Sequence, residues 1–285
     1  MARPMFVFLC GALLAGCALK DLRPRDLRKQ GPTAVQTSEG RALLEASIEA
    51  TGGWEQWRRL QHFSFSATDA WDHTLGELAF LTYDKNQTFD MRAVGQDVDN
   101  LEMTLTNGKK EGQIWGYRDG VGYLQGEDVE GKKFKPLSVL FVKTTAALVG
   151  LPMRLGSADE VVLLDDVQVG EKTYHQVFLT WKQLDPIDSF DHWIAYIDPE
   201  TKLIDYCQFT VREYESEVAV PVARKGFFAM ADYREVDGVQ VPHRIDALLN
   251  IEKKPVHVYT LTDVDFSFEP PPVEAVEQAS ADVAL

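Results

Sequence analysis

The feature that most constrains this chain is a train of short apolar-polar runs separated by tight-turn residues, extending from Phe63 to Phe268. Alternation puts every second side chain on one face of a strand, so each run reads as a strand with one buried side. Phe63-Ser64-Phe65-Ser66-Ala67 leads through a turn at Asp72-His73-Thr74 into a run over 75–83. Runs 89–94 and 98–106 flank Gly95-Gln96, and runs 113–118 and 121–124 flank Asp119-Gly120. Runs 161–169 and 173–181 flank Gly170-Glu171-Lys172, and 193–197 and 203–212 flank the turn 198–202. Runs 226–236 and 239–249 meet at Asp237-Gly238, and 256–268 closes the series. Asp-Gly suits a two-residue hairpin because both central positions need positive φ. Parallel strands would need crossover helices, which are missing between most of these runs. The expectation is a mainly β (α+β) fold: one strongly curved antiparallel sheet, or incomplete barrel, of about ten strands. Its apolar concave face then needs a cover.

Three helical segments are predicted. Ser38–Thr51 has a capping residue in Ser38, apolar Leu44 and Ile48 four apart, and a stop at Gly52-Gly53. A short turn over 54–60 follows, with Trp54 and Trp57 on one side. Residues 136–155 carry only Lys143 and Arg154 as charges and are apolar almost all round. This segment reads either as a plug that fills the core or as a lid hinged at Gly150 and Pro152. As a lid it would offer Leu137, Leu140, Phe141, Leu148 and Leu151 to an apolar ligand.

The N-terminus is an address. Arg3 precedes an apolar run over 5–14, too short to span a bilayer but proportioned like a secretory signal. It ends in Leu14-Ala15-Gly16-Cys17, which resembles a bacterial lipobox, where the cysteine thiol accepts a diacylglyceryl group. The expectations are a signal peptide over 1–16 and acylated Cys17 as the mature N-terminus. Several palmitate-class acyl chains would anchor it stably, where one chain is marginal. Ala18 in place of Asp favours the outer membrane over inner-membrane retention. Residues 17–36 hold Lys20, Arg23, Arg25, Arg28 and Lys29 against Asp21 and Asp26, with prolines at 24 and 32. They read as a flexible basic tether, either lying on anionic lipid or simply solvated. The β domain is then 37–268, and 269–285 is an acidic, disordered tail.

Charge and motifs exclude more than they assign. The body 37–268 carries 23 basic against 38 acidic residues, the reverse of a nucleic-acid-binding surface. No nucleophile elbow, zincin pair, phosphate loop, dinucleotide fingerprint or CxxC pair is present, so no enzyme activity and no cofactor are expected. His62, His73, His175, His192, His243 and His257 are scattered without metal-ligand spacing. Asp185, Asp188, Asp191 and His192 form the densest acidic run, but it lacks the twelve-residue calcium-loop pattern and reads as a solvated loop. Cys207 reads as a buried strand thiol.

The helix ending in Gly-Gly-Trp, the antiparallel series, the internal apolar helix and the hairpins 196–203 and 233–242 together resemble the LolA/LolB-like superfamily. The resemblance spans roughly 38–268. It implies an incomplete barrel around a helical lid, with an apolar cavity for acyl chains. It also implies an envelope role: binding or transport of an acyl chain, lipid or lipoprotein, with a partner protein in the envelope. The other reading is a structural or interaction module whose core is filled.

Overall fold

The computed structural model describes residues 20–60, 62–71, 84–94, 100–118, 121–126, 136–210 and 225–267. The signal segment, Cys17, the run 75–83, the turns at 72–74, 95–96 and 119–120, and the acidic tail lie outside them.

Among the described residues thirteen strands form, where about ten were expected: β1 (His62–Trp71), β2 (Asn86–Val94), β3 (Asn100–Leu105), β4 (Ile114–Arg118), β5 (Val121–Gln125), β6 (Glu160–Leu163), β7 (Val167–Val169), β8 (Lys172–Thr180), β9 (Trp193–Ile197), β10 (Ile204–Thr210), β11 (Lys225–Val236), β12 (Val239–Leu248) and β13 (His257–Asp265). The run 161–169 is two strands and not one. β6 and β7 pair with different parts of β8, and the chain breaks between them.

The sheet order is β5-β4-β3-β2-β1-β13-β12-β11-β10-β9-β8-β6, with β7 also on β8. Every pairing is antiparallel. The order amounts to two up-and-down meanders joined where β1 meets β13. Among the described residues β5 and β6 form its two edges, so the sheet is open.

Among the described residues five α-helices accompany it: α1 (Arg25–Gln30), α2 (Ala34–Ala50), α3 (Gly53–Arg59), α4 (Pro136–Val149) and α5 (Leu151–Gly156). α2 starts four residues earlier than expected and is capped by Thr33 instead of Ser38. The Gln36 N–H donates to Thr33 Oγ1 while the Thr33 N–H donates to Gln36 Oε1, a reciprocal capping box. The apolar segment 136–155 is interrupted at Gly150, and Pro152 opens α5.

The inner face of the sheet holds one continuous core. Phe63, Phe65, Ala67 and Trp71 of β1, Phe89, Met91 and Ala93 of β2, and Val239, Val241 and Ile245 of β12 all point into it. Helices α2 to α5 roof this face. α4 lies against β3 and β4, α2 lies against β6, and α5 joins them by packing on α2. α2 approaches very closely through Gly40, where a Cβ would stand 2.5 Å from the Leu163 nitrogen. The α2–α3 corner turns at Gly52, whose φ of 117° is costly for other residues. There the Gln240 N–H donates to the Thr51 carbonyl at 3.0 Å, fastening the corner to the β11–β12 hairpin.

The other face is polar over β1–β3 but apolar over β8–β12. Tyr174, Phe178, Ile194, Tyr196, Phe227 and Leu248 form a second cluster there. The segment expected to be a flexible tether covers part of it, which corrects that expectation. Leu22 and Leu27 pack into the cluster, and α1 ends at Gly31 with positive φ. Apolar side chains and specific hydrogen bonds overcome the basic, proline-containing composition. The Leu22 N–H donates to His192 Nδ1 at 3.3 Å, and Arg23 Nη1 donates to Asp185 Oδ1 at 2.6 Å. Residues Gly31–Thr33 then carry the chain from the outer face to α2 on the inner one. No helix among the described residues is long and apolar enough to cross a membrane.

Candidate functional site under helix α4

Most of the inner face is apolar, and a polar row crosses it at one end of β1. Residues 63, 65, 67, 69 and 71 share that face, and the fourth of them is Asp69. In the antiparallel register Asp69 lies opposite Tyr259 of β13, and Trp71 lies opposite His257. These four side chains occupy the corners of a square, as directly opposed and diagonal neighbours do on a sheet.

The square is bonded internally. His257 Nδ1 is 2.8 Å from Asp69 Oδ1, and Trp71 Nε1 donates to Asp69 Oδ2 at 3.0 Å. The His257 ring stacks on Trp71 with centroids 4.1 Å apart and planes 4° apart. Tyr259 meets the imidazole edge-on at 4.9 Å. From α4, Phe141 completes an aromatic enclosure, its centroid 6.0 Å from Trp71 and 6.3 Å from His257.

Electrostatics set the protonation pattern. The Asp69 side chain is fully buried, with 0% exposure, while His257 keeps 12%. A buried carboxylate costs several kcal/mol unless donors satisfy it; Asp69 has two. An ionised Asp69 can only accept, so the bridging proton is assigned to His257 Nδ1. The second ring nitrogen, Nε2, makes no hydrogen bond to the described residues. Burial, with the Asp69 charge adding to it, pushes the Tyr259 phenol well above its ordinary range, so it remains a neutral hydroxyl. The buried Thr145 hydroxyl on α4 faces it without good hydrogen-bond geometry and opposes that rise only weakly.

Gln87, directly opposite Asp69 on β2, extends the polar row. It is fully buried, donating from Nε2 to Asn107 Oδ1 at 2.7 Å and accepting from the Asp84 N–H at 3.2 Å. Gln87 is therefore occupied by its own loop, and among the described residues of the row His257 is the group with an available nitrogen.

The expected ligand-contacting residues separate into three groups. Phe141 is half-buried and stands against the Asp69–His257 pair. Leu148 and Leu151 are closed into the core, at 3% and 2% exposure. The side chains of Leu137 and Leu140 lie outside the described residues. Lys143, the one charge of α4, turns aside and places its ammonium 4.3 Å from the centre of the Tyr117 ring.

The acidic run 185–192 does not converge. Asp185 pairs with Arg23, and the buried Asp191 carboxylate accepts from Thr210 Oγ1 at 2.8 Å. Buried His192 receives the docked N-terminal segment. Cys207 is fully buried, as read from the sequence, and that burial pushes its thiol pKa upward, away from reactivity.

Neither a protein-family model nor a curated protein matches the chain. Solved structures similar to it include a LolA superfamily protein from Nitrosomonas europaea. That one is 13% identical, covers 81% of this chain and 94% of its own, and has a TM-score of 0.45. An outer membrane lipoprotein-sorting protein domain from Vibrio parahaemolyticus is 7% identical, with 85% and 98% coverage and a TM-score of 0.48. A DUF1329 family protein from Desulfovibrio piger is 9% identical, with 86% and 98% coverage and a TM-score of 0.45. The chain's own architecture, an open antiparallel sheet with helices roofing its inner face, is the one that the resemblance to LolA/LolB-like proteins implies.

Proposed function

We propose that the chain is a bacterial envelope lipoprotein that binds or transfers an apolar ligand, an acyl chain, lipid or lipoprotein, between α4 and the inner face of the sheet. The observation that carries this reading is α4 itself. It is a charge-poor helix laid over an apolar sheet face, with Phe141 half-buried beside Trp71 while Val142, Ala146 and Val149 are fully buried. Apolar walls with a few polar groups are what an acyl site requires. Acylated Cys17 would hold the body at a membrane, the outer one by the Ala18 criterion, and an envelope protein would be the natural source or recipient of the ligand.

The alternative, a structural module with a filled core, draws on the complete enclosure of Leu148 and Leu151. Lipid extraction and mass spectrometry of the complete chain carrying Cys17→Ala, whose own acyl chains are absent, separates the two. Co-purified acyl lipid approaching one per chain is expected. A lipid-free chain that also takes up no fluorescent fatty acid would leave the structural module as the reading.

A further inference from the structure

Resting on that reading, we infer that the Asp69–His257 pair is a headgroup site. It selects acyl ligands that end in an ionisable acid, a free carboxyl or a phosphate monoester, over neutral esters and alcohols. The argument starts from placement. A chain that needs only an apolar wall has no reason to put a carboxylate on the inward side of β1 between Ala67 and Trp71. Replacing such a pair by well-packed apolar residues is usually neutral or stabilising. The pair is also unequally enclosed. Asp69 is sealed and accepts from Trp71 and His257, whereas His257 retains exposure and an Nε2 that no described residue engages, beside the half-buried Phe141.

The chemistry follows from the division of labour within the imidazole. Nδ1–H faces Asp69, which orients the ring and leaves Nε2 for the ligand. An acid head brings that proton with it. The ligand hydroxyl gives its proton to Nε2, leaving a ligand anion against an imidazolium whose charge Asp69 balances. No co-reactant is needed, and the proton passes back when the ligand leaves. A methyl ester has no proton to share, and an alcohol is too weak an acid to form the ion pair. The acyl tail would lie along Phe141 and the inner face of α4. Tyr259, held neutral, supplies a hydroxyl and no competing charge.

The test uses the complete chain with Cys17→Ala and three ligands of one chain length: oleic acid, oleyl alcohol and methyl oleate. The acid should bind about 10- to 100-fold tighter than the other two, the range expected for one charge-assisted hydrogen bond. His257→Gln keeps a donor for Asp69 but cannot take a proton, so it should bring the three affinities together. ¹⁵N spectra of the unsubstituted protein provide a readout independent of any variant. Oleic acid should move the His257 Nε2 resonance to its protonated position, and methyl oleate should leave it in place. Equal binding of all three ligands, or an acid preference that survives His257→Gln with an unmoved Nε2 resonance, overturns the headgroup site and leaves the carrier reading intact. Failure of all three to bind overturns both.

Discussion

Replacing Leu27 by alanine should release the N-terminal segment without disturbing the sheet. α1 is six residues long, far below the length at which a helix is stable in water, so docking is what keeps it folded. Two kinds of contact hold it, and their sizes differ. Arg23 pairs with Asp185, but that carboxylate is 77% exposed, and exposed ion pairs contribute about 0–1 kcal/mol. Leu27 is 7% exposed within the outer apolar cluster, and a buried leucine truncated to alanine costs about 2–5 kcal/mol. The lower end applies to a peripheral helix that can shift to fill the gap. A loss of about 2 kcal/mol corresponds to about 30-fold in the opening equilibrium. Native-state hydrogen exchange reads this directly. The Arg28 N–H, bonded to the Pro24 carbonyl at 3.1 Å, and the Gly31 N–H, bonded to the Leu27 carbonyl at 3.0 Å, should exchange about 30-fold faster. Amides in the β1–β2 ladder should be unaffected, and Arg23→Ala should produce the smaller change. Equal acceleration in β1 would make the segment part of the global folding unit. Unchanged exchange at Arg28 and Gly31 would refute apolar docking as the force that orders it.

Gly40→Ala tests the approach of α2 to β6. The new Cβ would meet backbone atoms, 2.5 Å from the Leu163 nitrogen and 2.9 Å from the Val162 carbonyl carbon. Overpacking of about 1–3 kcal/mol should exceed the roughly 1 kcal/mol gain in helix propensity. The urea midpoint should therefore fall at constant slope, and a raised midpoint would show that α2 moves freely. A second test concerns acid stability. Burial pushes Asp198 up, but hydrogen bonds from Lys172, the Glu200 N–H and Thr201 outweigh it and hold the carboxyl at about 2. A folded value below the unfolded one means stability that is present above pH ~4 and lost as pH falls toward 2. Asp198→Asn should flatten that part of the stability–pH curve measured by urea unfolding. A decline as steep as in the unsubstituted protein would assign it to the other depressed carboxyls, such as Asp21 and Asp265.

Local chemistry explains which parts of the fold could be read in advance. The β11–β12 hairpin and strand β9 lie within a residue of their expected bounds because turn residues and strand period are encoded in adjacent positions. The docked N-terminal segment could not be read that way, since Leu22 and Leu27 are isolated apolar residues in a basic stretch with no period of their own. A signal for it nevertheless existed elsewhere in the chain. Trp193-Ile194-Ala195-Tyr196-Ile197 is uninterruptedly apolar, and every one of its residues is buried. A strand of that kind needs cover on both sides of the sheet. Asking what covers the outer side would have pointed to the unassigned leucines.

The Asp69–His257 pair was missed for a related reason. Its members are 188 positions apart, and a search for catalytic or metal spacings looks for neighbours. What was visible at short range is a break in parity: within 63, 65, 67, 69 and 71, one inward position of a buried strand is charged. A charge on an apolar parity must be paired, so Asp69 alone implied a donor across the ladder, on whichever strand came to lie beside β1. Only the closing of β13 onto β1 determines that the donor is His257, because that pairing joins the two ends of the β series. A parity break can thus announce a site from sequence, while the identity of its second residue belongs to topology.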